Sequence, residues 1–389
     1  MENFNFYSPT EFVFGKNTEE QCGALVKKYG GTKVLVHYGS GSVVRSGLLD
    51  RVKASLNNAG VAFVELGGVQ PNPRDSKVRE GIELCRRENV DMVLSVGGGS
   101  CIDSSKAIAA GVCYEGDFWD FYCGKAKVET ALAHGCVLTI PAAGSEGSNS
   151  SVITHLDGNL KRGLSTEFHR PRFAVMNPEL TFTLPRYQLA CGITDMMAHI
   201  MERYFTNTKD VALTDRLAEA LLVSIKEAAP TAMADDHDYE SHATLMWAGM
   251  LAHNNSVGVG REQDWGSHQM GHEISAMYDT AHGASLAVMF PAWMRYVYKH
   301  DVKRFVQFAT RVWDVDPAGK TDEETALAGI DAMQAFFVSI GMPATLEQAG
   351  GRREDIPALA AKVVNGKTGR FVTLYPEQIA EVYALACEK

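Results

Sequence analysis

The period of apolar and polar positions changes once along this chain, near residue 185. Before that point, short apolar runs rich in β-branched residues alternate with amphipathic stretches. Residues 33–37 read as a buried strand that ends in Tyr38-Gly39-Ser40-Gly41-Ser42, with a helical pattern over 43–58. Residues 61–65 read as a second strand, broken by Gly67-Gly68 and Pro71-Asn72-Pro73, and 76–88 as an amphipathic helix. Residues 91–96 form a third apolar run, leading straight into Gly97-Gly98-Gly99-Ser100 and a helix over 102–112. Further strands are expected at 136–141, 152–157 and 173–176. Strands alternating with helices predict a parallel, doubly wound sheet. Such sheets bind ligands beyond the carboxyl ends of their strands. After Leu184-Pro185 the helical period dominates, over 186–204, 210–229, 238–255, 262–277, 283–299, 301–313, 321–340, 354–364 and 376–386. Thr321-x-x-Glu324 is a capping-box start and Gly341-Met342-Pro343 a stop. The pattern divides the chain into an α/β domain over 1–185 and a helical domain over 186–389.

Bulk composition narrows the function classes. A chain of 389 residues exceeds one typical core, in keeping with two domains. Hydrophobic residues at 46% and charged residues at 22% are ordinary for a water-soluble globular protein. The net charge of −10 and the absence of a basic stripe exclude nucleic acid as an expected partner. An anionic cofactor must then be held locally, by backbone amides and a few cations. No apolar run reaches the length of a membrane span. The eight cysteines contain no Cys-x-x-Cys pair and the chain starts without a signal-peptide pattern, so a reducing cytoplasm is expected.

Three glycine-rich or hydroxyl-rich turns follow strands. Gly97, Gly98, Gly99 and Ser100 stand between a buried strand and a helix start, where glycine lets backbone approach a phosphate and the helix terminus offers free amides. Asp103 and Lys106 follow in the first turns. Gly39, Ser40, Gly41 and Ser42 stand where the adenosine half of a nucleotide is expected. An acidic residue that would hold a 2′-hydroxyl is missing there and Arg45 is near, so NADP(H) is favoured over NAD(H). Thr139, Ser145 and Ser148 offer hydroxyls after the next strand. Lys161, in a turn-like Asp157-Gly158-Asn159 context, is a candidate for a cofactor ribose or phosphate; a surface lysine is the alternative.

The helical half carries the metal candidates. His268 and His272 stand one turn apart on a helix face, and His282 follows after a break at Tyr278-Asp279-Thr280. Neutral imidazole is a common metal ligand; polar residues on helix ends are the plain alternative. Asp195 and His199 form a second i, i+4 pair on an inward face. A buried Asp–His hydrogen bond would explain that pair too, but two such pairs in one helical domain favour a site. One carboxylate with imidazoles suits Fe²⁺, Zn²⁺, Ni²⁺ or Mn²⁺. His253 reads as capping or supporting, and His237, His242 and His300 as surface. Trp265 and Phe290 suggest an apolar substrate wall, with Asn72 and Asn149 as polar contacts.

Taken together, Gly97-Gly98-Gly99-Ser100-x-x-Asp103-x-x-Lys106, Asp195-x-x-x-His199 and His268-x-x-x-His272-x9-His282-Gly283 resemble the iron-dependent alcohol dehydrogenases over nearly the whole chain. Met246-Trp247-Ala248, Gln263-Asp264-Trp265 and Arg311-Val312-Trp313 look most like the butanol dehydrogenase and broad aldehyde reductase branch. The resemblance implies a Rossmann-like nucleotide-binding domain and an all-α metal-binding domain, the dehydroquinate synthase-like architecture, with a cleft between them and commonly a homodimer. It implies metal ligation by Asp195, His199, His268 and His282, with iron the namesake and zinc an alternative. It places His272 beside the nicotinamide, the pyrophosphate at Gly97 to Ser100 near Asp103, and Thr139 and Lys161 along the cofactor. Many members carry Asp where Gly39 stands, and that Asp favours NAD.

The expected reaction is hydride transfer between NAD(P)H and a short aliphatic aldehyde or primary alcohol, of the butanal/butanol type. His272 is the candidate proton relay, sharing that task with the ribose hydroxyls or else only packing on the nicotinamide. A polyol dehydrogenase or another dehydroquinate synthase-like enzyme is the alternative in the same fold. A non-catalytic metal- or nucleotide-binding protein is the alternative of a different class, and the intact four-ligand pattern argues against it.

Overall fold

The computed structural model describes residues 1–39, 41–363 and 366–388; Ser40, one of the expected cofactor contacts, lies outside the described residues. The chain divides into two compact units, Tyr7–Leu184 and Pro185–Lys389, the latter including Met1–Phe6. The first residues belong with the helices because the Met1 amino group donates to the Lys209 carbonyl at 3.1 Å and the Glu2 N–H to the Gly260 carbonyl at 2.9 Å. A division at 1–185 assigns them to the other unit.

The α/β unit runs β1 (Glu11–Phe14), α1 (Cys22–Lys28), β2 (Lys33–Gly39), α2 (Ser42–Arg45), α3 (Leu48–Asn58), β3 (Ala62–Val69), α4 (Asp75–Glu88), β4 (Met92–Gly97), α5 (Gly99–Val112), α6 (Trp119–Tyr122), β5 (Ala133–Leu138), β6 (Ser150–His155), β7 (Leu160–Ser165) and β8 (Phe173–Met176). Six strands form one parallel sheet in the order β1-β8-β5-β4-β2-β3. Alternate residues serve its two faces. Val34 and Val36 of β2 join Met92, Leu94 and Val96 of β4 in a core with α1 and α3. Leu35 and Val93 point the other way, into a core with α4 and α5. Burial on both faces is why these strands read as continuous apolar runs. From β2 the chain steps outward to β3, then returns to β4 on the other side of β2. That reversal sets the ends of β2 and β4 side by side, Tyr38 opposite Val96, and opens the crevice where doubly wound sheets take ligands.

Some elements differ from the pattern. Gly67-Gly68 does not break β3, which continues to Val69; a β-carbon at Gly67 would meet the Tyr38 ring at 2.6 Å, so this glycine serves close packing. The strand expected at 136–141 is Ala133–Leu138, because His134 is buried inside the sheet. Lys161 sits in β7, paired antiparallel with β6, and not in a turn.

The helical unit holds α7 (Arg186–Tyr204), α8 (Ala212–Ala234), α9 (Tyr239–His253), α10 (Gly266–Tyr278), α11 (His282–Val297), α12 (Val302–Val312), α13 (Asp322–Ser339), α14 (Ile356–Lys362) and α15 (Pro376–Leu385). From Gly192 to Tyr204 every residue of α7 is buried, so it is the central helix, packed on all sides. His242, expected at the surface, is fully buried in α9. The capping box at Thr321 and Glu324 starts α13. Among the described residues, no helix is long and apolar enough to cross a membrane.

Candidate metal centre and nucleotide turns

α7 carries Asp195 and His199 on one face, both buried. α10 carries His268, and α11 begins on His282 itself. The break between α10 and α11 is made by Asp279 in the left-handed region (φ 55°), which turns the chain back on itself. α11 then crosses α7 at Gly283, where a β-carbon would collide with the Cys191 carbonyl. Backbone contact at that crossing, one helical turn before Asp195, delivers His282 to the centre. Gly283→Ala is therefore expected to lower metal occupancy although it removes no donor atom. Elemental analysis of the purified variant checks this; wild-type occupancy would show that the crossing tolerates a methyl group.

Three imidazole nitrogens converge on one oxygen. His199 Nδ1, His268 Nε2 and His282 Nε2 each stand 3.8 Å from Asp195 Oδ1. That is longer than a hydrogen bond. Donors bonded at about 2.1 Å to one tetrahedral cation lie roughly 3.4 Å apart, so the observed spacing is close to that of a shared ion. Ligating atoms of Asp195, His268 and His282 lie within 4.8 Å of one another, while His199 joins this set through its 3.8 Å approach to Asp195 Oδ1. Among the described residues the buried Nδ1 of His199 meets no hydrogen-bond donor or acceptor. Burial, reinforced by His253, His268, Arg203 and His282, holds the His199 pKa well below its ordinary value. A neutral imidazole is the form that binds metal. The residues present therefore fit a divalent cation of the Fe²⁺ or Zn²⁺ kind.

His272 stands apart from this convergence. Its ring centroid is 4.9 Å from that of His282 and 6.4 Å from that of His268, and it is partly exposed. Trp265 packs closer, 5.1 Å from His268 and 5.9 Å from His199. His253 lies against His199 with centroids 4.0 Å apart, and its Nδ1 accepts from buried Arg203 at 3.1 Å. Phe290 is buried, 6.2 Å from His268, and supports that ring from the core.

In the α/β unit, Gly97 ends β4 and Gly99 opens α5, so the glycine turn is the helix start. β-Carbons at Gly97 and Gly98 would meet Cys101 Sγ at 2.5 Å and Ile140 Cδ1 at 2.8 Å. Asp103 points inward: its oxygens accept from Ser145 Oγ at 2.6 Å and from the Val152 N–H at 2.8 Å. Ser145 is thus engaged beneath the turn, together with Lys106. Thr139 is buried beside Gly97, its N–H donating to the Gly97 carbonyl at 3.1 Å. Buried Lys161 donates to Asn72 Oδ1 at 2.9 Å, and Asn149 donates to Glu167 at 2.7 Å. Gly39 ends β2, and Gly41 and Ser42 lead into α2 with the guanidinium of Arg45 over Gly41.

Two family models cover the chain: iron-containing alcohol dehydrogenase over residues 9–178, and the C-terminal model of the Fe-containing alcohol dehydrogenase family over 189–387. The chain belongs to the iron-containing alcohol dehydrogenase family. Within it, this enzyme falls in the butanol dehydrogenase and aldehyde reductase branch. It is 43% identical over 386 residues to the "Probable NADH-dependent butanol dehydrogenase 2" of Bacillus subtilis (strain 168), covering 98% of this chain and 99% of that protein. It is 37% identical over 369 residues to the "NADPH-dependent aldehyde reductase YqhD" of Escherichia coli (strain K12), with 93% of each covered. The crystal structure of an NADH-dependent butanol dehydrogenase A from Thermotoga maritima superposes with a TM-score of 0.97 at 38% identity, covering 100% of this chain and 99% of that one.

The sequence pattern misses Glu202 and Arg203. Both follow His199 on α7, and Asp195, His199 and Glu202 fall at i, i+4 and i+7 on one helical face. That spacing is the signal that a search for inward-facing charges would have found.

Proposed function

We propose that this enzyme reduces short aliphatic aldehydes such as butanal to primary alcohols, with NADPH preferred to NADH. Asp195, His199, His268 and His282 hold one divalent cation. The observation that carries this reading is the convergence of three imidazole nitrogens on one carboxylate oxygen. When bound, the cation supplies Lewis-acid polarisation of the substrate oxygen, and the nicotinamide supplies the hydride. The chain's own residues do the rest. Three neutral imidazoles and one carboxylate would leave a divalent cation with a net positive charge for a carbonyl oxygen. His272, partly exposed and next to His282, is placed to pass a proton between water and the substrate oxygen. Gly97 to Ser100 take the pyrophosphate, while Asp103, Ser145 and Lys106 hold the neighbouring loop in place. Thr139 and Lys161 line the path of the cofactor. The α/β unit, Tyr7–Leu184, serves the nucleotide and the helical unit the metal. We take the enzyme to act as a homodimer in the cytoplasm; the eight free cysteines suit a reducing compartment.

The deciding experiment measures bound metal by elemental analysis and follows NADPH and NADH oxidation with butanal, before and after chelation. Turnover that survives complete metal removal sinks the reading.

The NADPH preference rests on Gly39. A carboxylate at the end of β2 would hold a ribose 2′-hydroxyl and repel a 2′-phosphate. A β-carbon at Gly39 would lie 3.7 Å from the Val69 carbonyl and 3.8 Å from Cys101 Sγ, which is ordinary contact. Gly39→Asp should fold normally and move the NADPH/NADH ratio of kcat/KM towards NADH, roughly tenfold to a hundredfold for one charge-assisted hydrogen bond gained. An unchanged ratio would remove this basis for cofactor choice.

A further inference from the structure

Glu202 lies on α7, three residues after His199, and is almost wholly buried. Its Oε1 accepts from the backbone N–H of His268 at 2.9 Å and lies 2.8 Å from His268 Nδ1. Its Oε2 accepts from the backbone N–H of Trp265 at 2.5 Å, and its own carbonyl accepts from the Asp264 N–H at 2.8 Å. One residue thus grips the whole entry to α10. We infer that Glu202 is the positioning residue of the metal centre: Oε1 locks the His268 tautomer and ring, and Oε2 locks the backbone that presents the Trp265 indole beside the ligands. The inference rests on the ligand set proposed above.

The tautomer argument is chemical. An ionised carboxylate can only accept, so pairing Glu202 Oε1 as a carboxylate with His268 Nδ1 puts the proton on that nitrogen. Nε2 then keeps its lone pair, and Nε2 is the atom that faces Asp195 Oδ1 at 3.8 Å. A carboxylate on the far nitrogen also raises the basicity of the ligating one. The second oxygen does a different task. Trp265 sits in the left-handed region (φ 66°, ψ 9°), which is costly for a bulky side chain and persists only where its surroundings enforce it. Its N–H is held by Glu202, its indole Nε1–H donates to Gln263 Oε1 at 3.2 Å, and the Arg203 guanidinium lies 4.7 Å from its ring. The indole is thereby fixed 5.1 Å from the His268 ring. A glutamine has one acceptor oxygen and one NH₂ group, so it cannot accept from both the His268 and the Trp265 donors.

Two measurements test this without relying on turnover. In zinc-loaded wild-type protein labelled with ¹⁵N-histidine, His268 should show a protonated Nδ1 and a metal-shifted Nε2; the reverse assignment overturns the inference. In cobalt-loaded Glu202→Gln, metal affinity against a competing chelator should fall 10–100-fold. The cobalt d–d bands should shift, while the thermal midpoint stays near that of wild type. Unchanged affinity and unchanged bands would reduce Glu202 to a structural anchor and overturn the inference. Should the Gln variant fail to fold, the wild-type NMR assignment alone decides. A protein that binds cobalt in the wild-type manner but reduces no aldehyde would refute the proposed function and leave this inference standing.

Discussion

His268→Ala is expected to purify with roughly a tenth or less of the wild-type metal and to reduce butanal about a thousandfold more slowly. The affinity change follows from losing one of four donors, a greater loss than the 10–100-fold typical of an outer partner. The rate change follows from losing several kcal/mol of Lewis-acid stabilisation, at about 1.4 kcal/mol per factor of ten. The contrast with His272→Ala makes the test specific. His272 stands on the same helix, but its ring lies 6.4 Å from that of His268 and 4.9 Å from that of His282, outside the convergence on Asp195. His272→Ala should keep its metal and slow turnover about a hundredfold, the contribution of one positioned proton-transfer group. Elemental analysis and steady-state kinetics on the two variants separate the roles. Metal lost from His272→Ala would exchange the assignments of the two histidines.

The helical pairs were legible because α-helical spacing is local. Asp195 and His199 at i, i+4 announce a shared face in any helix, and α7 keeps that face buried. His282 was legible only as a third histidine. What brings it to Asp195 is the contact of Gly283 with the Cys191 carbonyl, a tertiary crossing that no local pattern encodes. Glu202 shares the helical face of Asp195 and His199, but its role was not legible for the same reason. A lone glutamate on a helix usually faces water, and its partners at Trp265 and His268 arrive from another helix. His242 misled in the other direction: charged neighbours in sequence suggest exposure, yet α9 turns that position inward.

In the sheet, alternation identified β2 and β4 because both of their faces are buried. β1 is a four-residue edge strand of half-buried residues, too short and too weakly patterned to separate from loop. β7 carries charges at Lys161 and Arg162 and, among the described residues, pairs only with β6, so its apolar signal is weak. The nucleotide turns were legible as glycines after a strand. Their support was not, because Asp103 and Lys106 read as ordinary charges in the first turns of a helix, while the structure draws both beneath the loop.

That buried support carries the second large effect. Lys106 Nζ donates to the carbonyls of Ser145 (2.7 Å), Ser148 (3.1 Å) and Ser150 (2.7 Å) and to Ser145 Oγ (2.8 Å). Asp103, bonded to the same Ser145, partly offsets the lowering of the Lys106 pKa that burial imposes. Lys106→Met matches its bulk but removes the charged donor shared by three carbonyls and takes a cation from the neighbourhood of Asp103. Removing a donor from several buried acceptors at once costs about 3–5 kcal/mol, at roughly 1–3 kcal/mol for each acceptor left short. In a unit of this size that lowers the thermal midpoint by roughly 10 °C, and calorimetry reads it directly. The pH dependence separates the ammonium from simple packing. Burial brings the Lys106 pKa down from 10.5 to about 8. Between those values the unfolded chain binds more protons than the folded one, so the wild-type contribution from this group rises with pH across that window. A methionine has no such titration. The stability gap between wild type and Lys106→Met should therefore widen from pH 8 towards 10, and a constant gap would show that the side chain contributes there through its volume alone.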